Sequence, residues 1–268
     1  MENIKVLFLD IDGTIAGESN KVNPEVIEAI KKVQSRGIKV GLATGRMYCS
    51  AHRFHDEIGA DLPIISYNGA WIQNPVTGEM ISHRPLDHEV ALELLDYLRS
   101  HEVEIHVYFN DQLYVDKVTE KTDSYIERSG IIVNVVDDLR NLLSQSPTKL
   151  LALSPNPSLI RSLLDDLKQR YHNRNLYLTQ SNPTYLEATS AHVHKGDAIK
   201  YVTEKILGLS SQQVMAIGDN FNDYTMIEYA QIGVAMGDAP TQLKAIATYT
   251  TDNVENNGVA QIISQLKF

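Results

Sequence analysis

The chain has 268 residues and a single cysteine, Cys49, which excludes an intramolecular disulfide and a cysteine-built zinc site. Lysine and arginine total 24 against 34 aspartates and glutamates, a formal charge of −10 that repels nucleic-acid phosphates and anionic membranes, so neither is expected as a main partner. No run reaches the ~18 apolar residues of a membrane span, and the N-terminal apolar run lacks a basic leader, so a cytoplasmic protein of two domains, or one domain with a large insertion, is expected.

Val6 to Leu9 is a continuous apolar run followed by Asp10-Ile11-Asp12-Gly13-Thr14. Such a run predicts a strand buried on both faces, as at the centre of a parallel sheet. Asp10 and Asp12 then stand at its carboxyl end and share a face, although Asp12-Gly13 also reads as an ordinary turn pair. Asn23-Pro24 opens a helical pattern at Val26, Ile27, Ile30 and Val33, and Gly37 closes it. A second apolar run, Ile38 to Ala43, ends in Thr44-Gly45-Arg46. His52, Phe54 and Ile58 mark a second helix, on which His52 and His55 are expected to be solvated, and Pro63 to Ser66 a third strand ending in Tyr67-Asn68-Gly69. Strands alternating with helices predict an α/β fold with a doubly wound parallel sheet.

From about His83 the pattern changes. A helix over 88–100 precedes alternating strands at 104–109 and 112–116, with Asn110-Asp111 as the hairpin turn between them. A helix over 119–129, strands over 131–136 and 148–154, a helix over 157–171 and strands over 176–180 and 185–189 follow. Adjacent hairpins mean antiparallel pairing, so residues 84–186 are expected to form an inserted α+β domain. The α/β pattern resumes in 187–268, which joins 1–83 in one Rossmann-like core. It has a helix over 195–207, a strand over 214–217, the cluster Gly218-Asp219-Asn220-Phe221-Asn222-Asp223, a helix over 224–229, a strand over 233–236, a helix after Pro240 and a closing helix over 258–266.

Asp10, Asp12, Thr44, Asn68 and Asp219 all fall at the carboxyl ends of predicted parallel strands, the edge where open α/β sheets bind ligands. Lys195 opens a helix, a position that favours an anion. Asp10, Asp12, Asp219 and Asp223 against Arg46 and Lys195 leave −2, a poor phosphate site unless a divalent cation joins it. Oxygen donors with no nearby histidine or cysteine suit Mg²⁺.

Taken in order, Asp10-Ile11-Asp12-Gly13-Thr14, Ala43-Thr44-Gly45-Arg46, Asn68-Gly69-Ala70, Lys195-Gly196 and Gly218-Asp219-Asn220-Phe221-Asn222-Asp223 resemble the haloacid dehalogenase-like phosphatases, specifically the Cof-like group with a large α+β cap. The resemblance covers both core segments and matches the cap only by position and length. It implies a Mg²⁺-dependent phosphatase acting on a small phosphorylated metabolite, with sugar phosphates as the leading class. Asp10 would be the nucleophile that forms an aspartyl-phosphate, and Asp12 the general acid and then base, which calls for burial or neighbouring negative charge to raise its pKa. The metal would be held by the Asp10 carboxylate, the Asp12 backbone carbonyl and Asp219. Thr44 and Gly45 would bind phosphoryl oxygens, Lys195 would offset developing charge, and Asn222, Arg46 and Asn68 would contact phosphate or leaving group. Asp223 would orient Lys195 or the metal's waters.

A phosphomutase and a non-catalytic phosphometabolite-binding regulator are the rival readings. His192 and His194 are read as hinge residues, Glu187 as either a substrate contact or a hinge ion pair, and Tyr97, Tyr108, Tyr114 and Tyr125 as filling the cap. Cys49 has no partner that would make it a nucleophile. Neither the cap residues that select the leaving group nor the oligomeric state is legible.

Overall fold

The computed structural model describes residues 3–172, 176–180, 182–191 and 193–266, with side chains of 121, 124 and 128 left aside. The chain divides into two compact units, Met1–Ile81 with His194–Phe268, and Ser82–Val193.

The first unit begins with β1 (Val6–Leu9), α1 (Pro24–Gln34), β2 (Lys39–Leu42), α2 (Tyr48–Ile58), β3 (Ile64–Ser66) and β4 (Trp71–Gln73), after which β5 (Met80–His83) carries the chain into the second unit. The second unit contains α3 (His88–Arg99), β6 (Glu104–Phe109), β7 (Gln112–Val115), α4 (Glu120–Ser129), β8 (Val133–Val135), β9 (Lys149–Leu153), α5 (Pro157–Arg170), β10 (Leu176–Thr179) and β11 (Tyr185–Ser190). The first unit resumes with α6 (Lys195–Tyr201), which runs on as a π-helical turn to Ile206, then β12 (Val214–Gly218), α7 (Tyr224–Tyr229), β13 (Ile232–Ala235), α8 (Thr241–Ile246), β14 (Tyr249–Thr250) and α9 (Gly258–Gln265).

The main sheet has the order β14-β13-β12-β1-β2, and every pair in it is parallel. β1 sits at the switch point, with β12 on one side and β2 on the other, so the crevice at its carboxyl end is where a ligand belongs. The apolar run explains its central place. Leu7 and Leu9 point into a cluster with α1, α2 and α9, while Val6 and Phe8 point into a second cluster with α6, α7 and α8. All four are fully buried, each stabilising by about 1.5–3 kcal/mol relative to exposure. α1 starts where expected: the Asn23 side chain accepts from the Glu25 N–H, and Pro24 fills the first turn.

The third expected core strand differs. β3 is joined to the main sheet by the Ala43–Ile65 bridge and heads a separate sheet, β3-β4-β5, with β4 antiparallel to it. Tyr67, Asn68 and Gly69 all have positive φ, and the chain reverses there into Trp71. β4, β5 and the two-residue β14 were not anticipated. His55 corrects the expectation of a solvated residue: it is buried, with Nε2 3.1 Å from the Leu62 carbonyl oxygen.

In the second unit a six-stranded sheet, β10-β11-β9-β6-β7-β8, buries one face under α3 and α5. Asn110 and Asp111 both have positive φ in the hairpin turn, as a two-residue connection requires. β7 and β8 pair parallel rather than antiparallel, because α4 crosses between them. The unit extends beyond 84–186 at its second edge because β11 stays paired to β10 through Ser190. An α/β Rossmann-like core with an inserted α+β cap region is the resulting architecture.

Candidate active site

Asp10 follows directly on β1, its N–H bonded to the Ile217 carbonyl of β12, which places its carboxyl at the switch point. It is 4 % exposed. Lys195, fully buried in the first turn of α6, lies with Nζ 2.7 Å from Asp10 Oδ1 and 2.6 Å from Asp223 Oδ1. Asp223 Oδ2 accepts from the N–H groups of Asp219 and Asn220 at 2.8 and 3.1 Å. Asp223 thus ties Lys195 to the backbone of the Asp219 loop. Gly218 is required for this, since a Cβ there would stand 2.5 Å from the Asp223 carboxyl carbon. Gly13 is required for both reasons a glycine can be: its φ is +75°, and a Cβ would lie 2.2 Å from Asp219 Oδ2.

Carboxylate oxygens of Asp10, Asp219 and Asp223 all lie within 4.8 Å of one another. Asp219 Oδ1 is buried with no hydrogen-bond partner. Burial, then the charge of Asp223, raise the Asp10 pKa to about 7 against the pull of Lys195. Burial, followed by the charges of Asp223 and Asp10, also holds Asp219 well above the usual carboxylate range. Burial opposes the Lys195 ammonium, but the charges of Asp10 and Asp223 outweigh it and raise its pKa. Three carboxylates around one ammonium leave −2, and one buried Asp219 oxygen is unsatisfied. This all-oxygen donor set fits a hard divalent cation.

Asp12 stands apart from that cluster. Its side chain is 41 % exposed and grips Arg46, Oδ2 to Nε and Oδ1 to Nη2, both at 2.7 Å. The burial or negative surroundings expected of it are replaced by a guanidinium. Arg46 is correspondingly bound to Asp12, and it also donates to Asn20 Oδ1 at 2.7 Å. Asn20 was missed: at positive φ in a polar turn, it looks in sequence like any turn asparagine.

Thr44, Gly45, Asn68 and Asn222 come together as expected. The Asn68 N–H donates to the Thr44 carbonyl, Asn222 Nδ2 donates to Asn68 Oδ1 at 3.1 Å, and a Cβ on Gly45 would press on Asn68 Oδ1 at 3.1 Å. Asn222 Oδ1 is buried without a partner. His194 caps α6, its Nδ1 accepting from the Asp197 N–H, whereas His192 lies outside the described residues. Glu187 resolves as an ion pair, buried in the second unit with its Oε2 3.3 Å from Lys149 Nζ.

A strand-end aspartate held by a buried lysine, with two further carboxylates around it, is the constellation of a metal-assisted phosphoryl-transfer site on a Rossmann-like core. The chain belongs to the haloacid dehalogenase-like hydrolases, whose family model matches residues 7–263. It is 30 % identical to the 5-amino-6-(5-phospho-D-ribitylamino)uracil phosphatase YwtE of Bacillus subtilis, over 98 % of both chains. It is 26 % identical to the pyridoxal phosphate phosphatase YbhA of Escherichia coli, over 97 % of both. A haloacid dehalogenase-like hydrolase from Bacteroides thetaiotaomicron superposes with a TM-score of 0.85 at 25 % identity, covering 98 % of this chain and 99 % of that one. The protein is a phosphatase-type hydrolase of the Cof-like group, with an aspartate cluster able to coordinate a metal. Among the described residues, no helix is long and apolar enough to cross a membrane.

Proposed function

We propose that this protein is a Mg²⁺-dependent phosphatase that hydrolyses a small phosphorylated metabolite, with sugar and sugar-alcohol phosphates as its substrate class. The observation that carries the reading is Asp10: buried at the end of β1, clamped by Lys195, and grouped with Asp219 and Asp223. The phosphorylated ribityl chain in the name of YwtE's substrate supports the substrate class.

The Asp10 carboxylate attacks phosphorus, the bond to the leaving oxygen breaks, and Asp12 protonates that oxygen. Water then attacks the aspartyl-phosphate, gives its proton to Asp12, and releases phosphate with Asp10 restored. Lys195 neutralises charge on Asp10 and the phosphoryl group, while Thr44, Gly45, Asn68 and Asn222 donate to the phosphoryl oxygens. Asp10, Asp219 and the Asp12 carbonyl would hold Mg²⁺, which would supply Lewis-acid stabilisation of phosphoryl charge. The test is phosphate release from a panel of phosphorylated metabolites, with Mg²⁺ and with chelator. Metal-dependent release that Asp10→Asn abolishes is expected. A panel with no metal-dependent release, or covalent phosphate trapped on the Asp10→Asn protein, refutes the reading.

A further inference from the structure

A carboxyl group that hands a proton to a leaving oxygen needs an oxygen turned towards the substrate. Both oxygens of Asp12 are instead committed to Arg46, in a bidentate pair at 2.7 Å. The two partners differ in burial. The Arg46 side chain is 8 % exposed, bonded to Asn20 Oδ1 at 2.7 Å, 3.4 Å from Ser50 Oγ, and stacked 4.6 Å from the centroid of the Phe54 ring. The Asp12 side chain is 41 % exposed. Arg46 is therefore the enclosed member of the pair and Asp12 the one open to exchange.

The cations of the site differ in the same way. Lys195 is buried between Asp10 and Asp223 at 2.7 and 2.6 Å, and its partners belong to the reaction centre. Arg46 holds a carboxylate that solvent and ligand can reach, so its anion is exchangeable. A phosphomonoester presents the planar fork with a stronger oxyanion than a carboxylate.

We propose that the Arg46–Asp12 pair is an exchange latch: the phosphorylated ligand takes the place of Asp12 on Arg46, and Asp12 is released to carry the proton. The inference deepens the phosphatase reading above and rests on it. No covalent bond changes; one oxyanion replaces another on the guanidinium. Arg46 is a positioning residue for Asp12, and before ligand arrives it holds both oxygens of the Asp12 carboxylate.

The latch predicts a coupling in binding that needs no turnover. Inorganic phosphate is titrated calorimetrically, in Mg²⁺, into the whole wild-type chain, Asp12→Ala, Arg46→Gln and the double variant. Asp12→Ala leaves Arg46 without the competing carboxylate and should bind phosphate about fivefold tighter, equivalent to ~1 kcal/mol. Arg46→Gln should bind more weakly, and adding Asp12→Ala to it should bring no comparable gain. Equal tightening in both backgrounds would mean only that a negative charge had been removed, and it overturns the latch. So does no tightening at all. Should Arg46→Gln not fold, Arg46→Lys replaces it: the pair loses its fork, and the gain from Asp12→Ala should fall below that in the arginine background. A gain as large as in that background overturns the proposal. If none of these proteins binds phosphate in Mg²⁺, the phosphatase reading falls and the latch with it, whereas binding indifferent to Asp12 overturns the latch alone.

Discussion

Replacing Asp10 by asparagine should make the metal-free protein more stable while removing its activity. Burial first, and the charge of Asp223 next, push the Asp10 pKa from 3.8 up to about 7 in spite of Lys195. A carboxyl whose folded pKa is raised keeps its proton in the folded state while the unfolded chain has lost it. Between pH 3.8 and about 7 the folded state thus binds more protons, stability falls as pH rises, and the loss is complete above that window. At 1.36 kcal/mol per unit, the ionised carboxylate costs the fold about 4 kcal/mol at pH 8. Asparagine imitates the neutral form, so this is the ceiling of the gain, reduced by the charge-assisted bond to Lys195 that it gives up. Urea unfolding in chelator measures it, with fluorescence of the single tryptophan, Trp71, which lies in the first unit. The advantage of Asp10→Asn should be largest at pH 8 and shrink to less than half at pH 5. Mg²⁺ should stabilise the wild type more than the variant, because binding to the folded state alone raises its stability. A variant no more stable than wild type at pH 8 in chelator, or one whose advantage is greater at pH 5, refutes the electrostatic account.

Three other substitutions probe neighbouring parts of the design. Gly13→Ala places a methyl group where Asp219 Oδ2 stands and strains a φ of +75°, so it should weaken Mg²⁺ affinity at least tenfold in calorimetric titration. Lys195→Met leaves Asp10 and Asp223 facing each other without their shared ammonium; thermal unfolding at pH 8 in chelator should show a loss of about 3–5 kcal/mol, smaller at low pH where Asp10 is protonated. In the second unit, Lys149→Met alone should cost about 3–5 kcal/mol by removing the ammonium beside the buried Glu187 carboxylate, whereas Lys149→Met with Glu187→Leu should recover most of it, as judged by chemical denaturation of the two variants.

The core was legible because its signals are local. A run of four apolar residues followed by Asp10 marks a buried strand with a carboxylate at its carboxyl end, and α1 announces itself through Asn23-Pro24. Lys195 and Asp223 could be assigned to one site because each opens or closes an element whose direction the α/β alternation dictates. What escaped was whatever depends on distant partners. β3 has the composition of a core strand, and only the turn of three positive-φ residues after it shows that it heads a second sheet. His55 looks solvated on a helix with polar neighbours until the Leu62 carbonyl comes to meet it. Glu187 at the crossing reads as a substrate contact or an ion-pair member, and the ion-pair partner, Lys149, lies 38 residues away in sequence. Asp12 is the case with the most consequence for mechanism. Its spacing from Asp10 correctly placed it two residues beyond the strand-end aspartate, but spacing carries no information about which way an exposed carboxylate turns. That direction is set by Arg46 and, behind it, by Asn20 and Phe54, three residues from two different loops and a helix. The identity of a candidate pair of carboxylates can therefore be written in five consecutive residues, while the resting posture of one of its members is written in the loops that surround it.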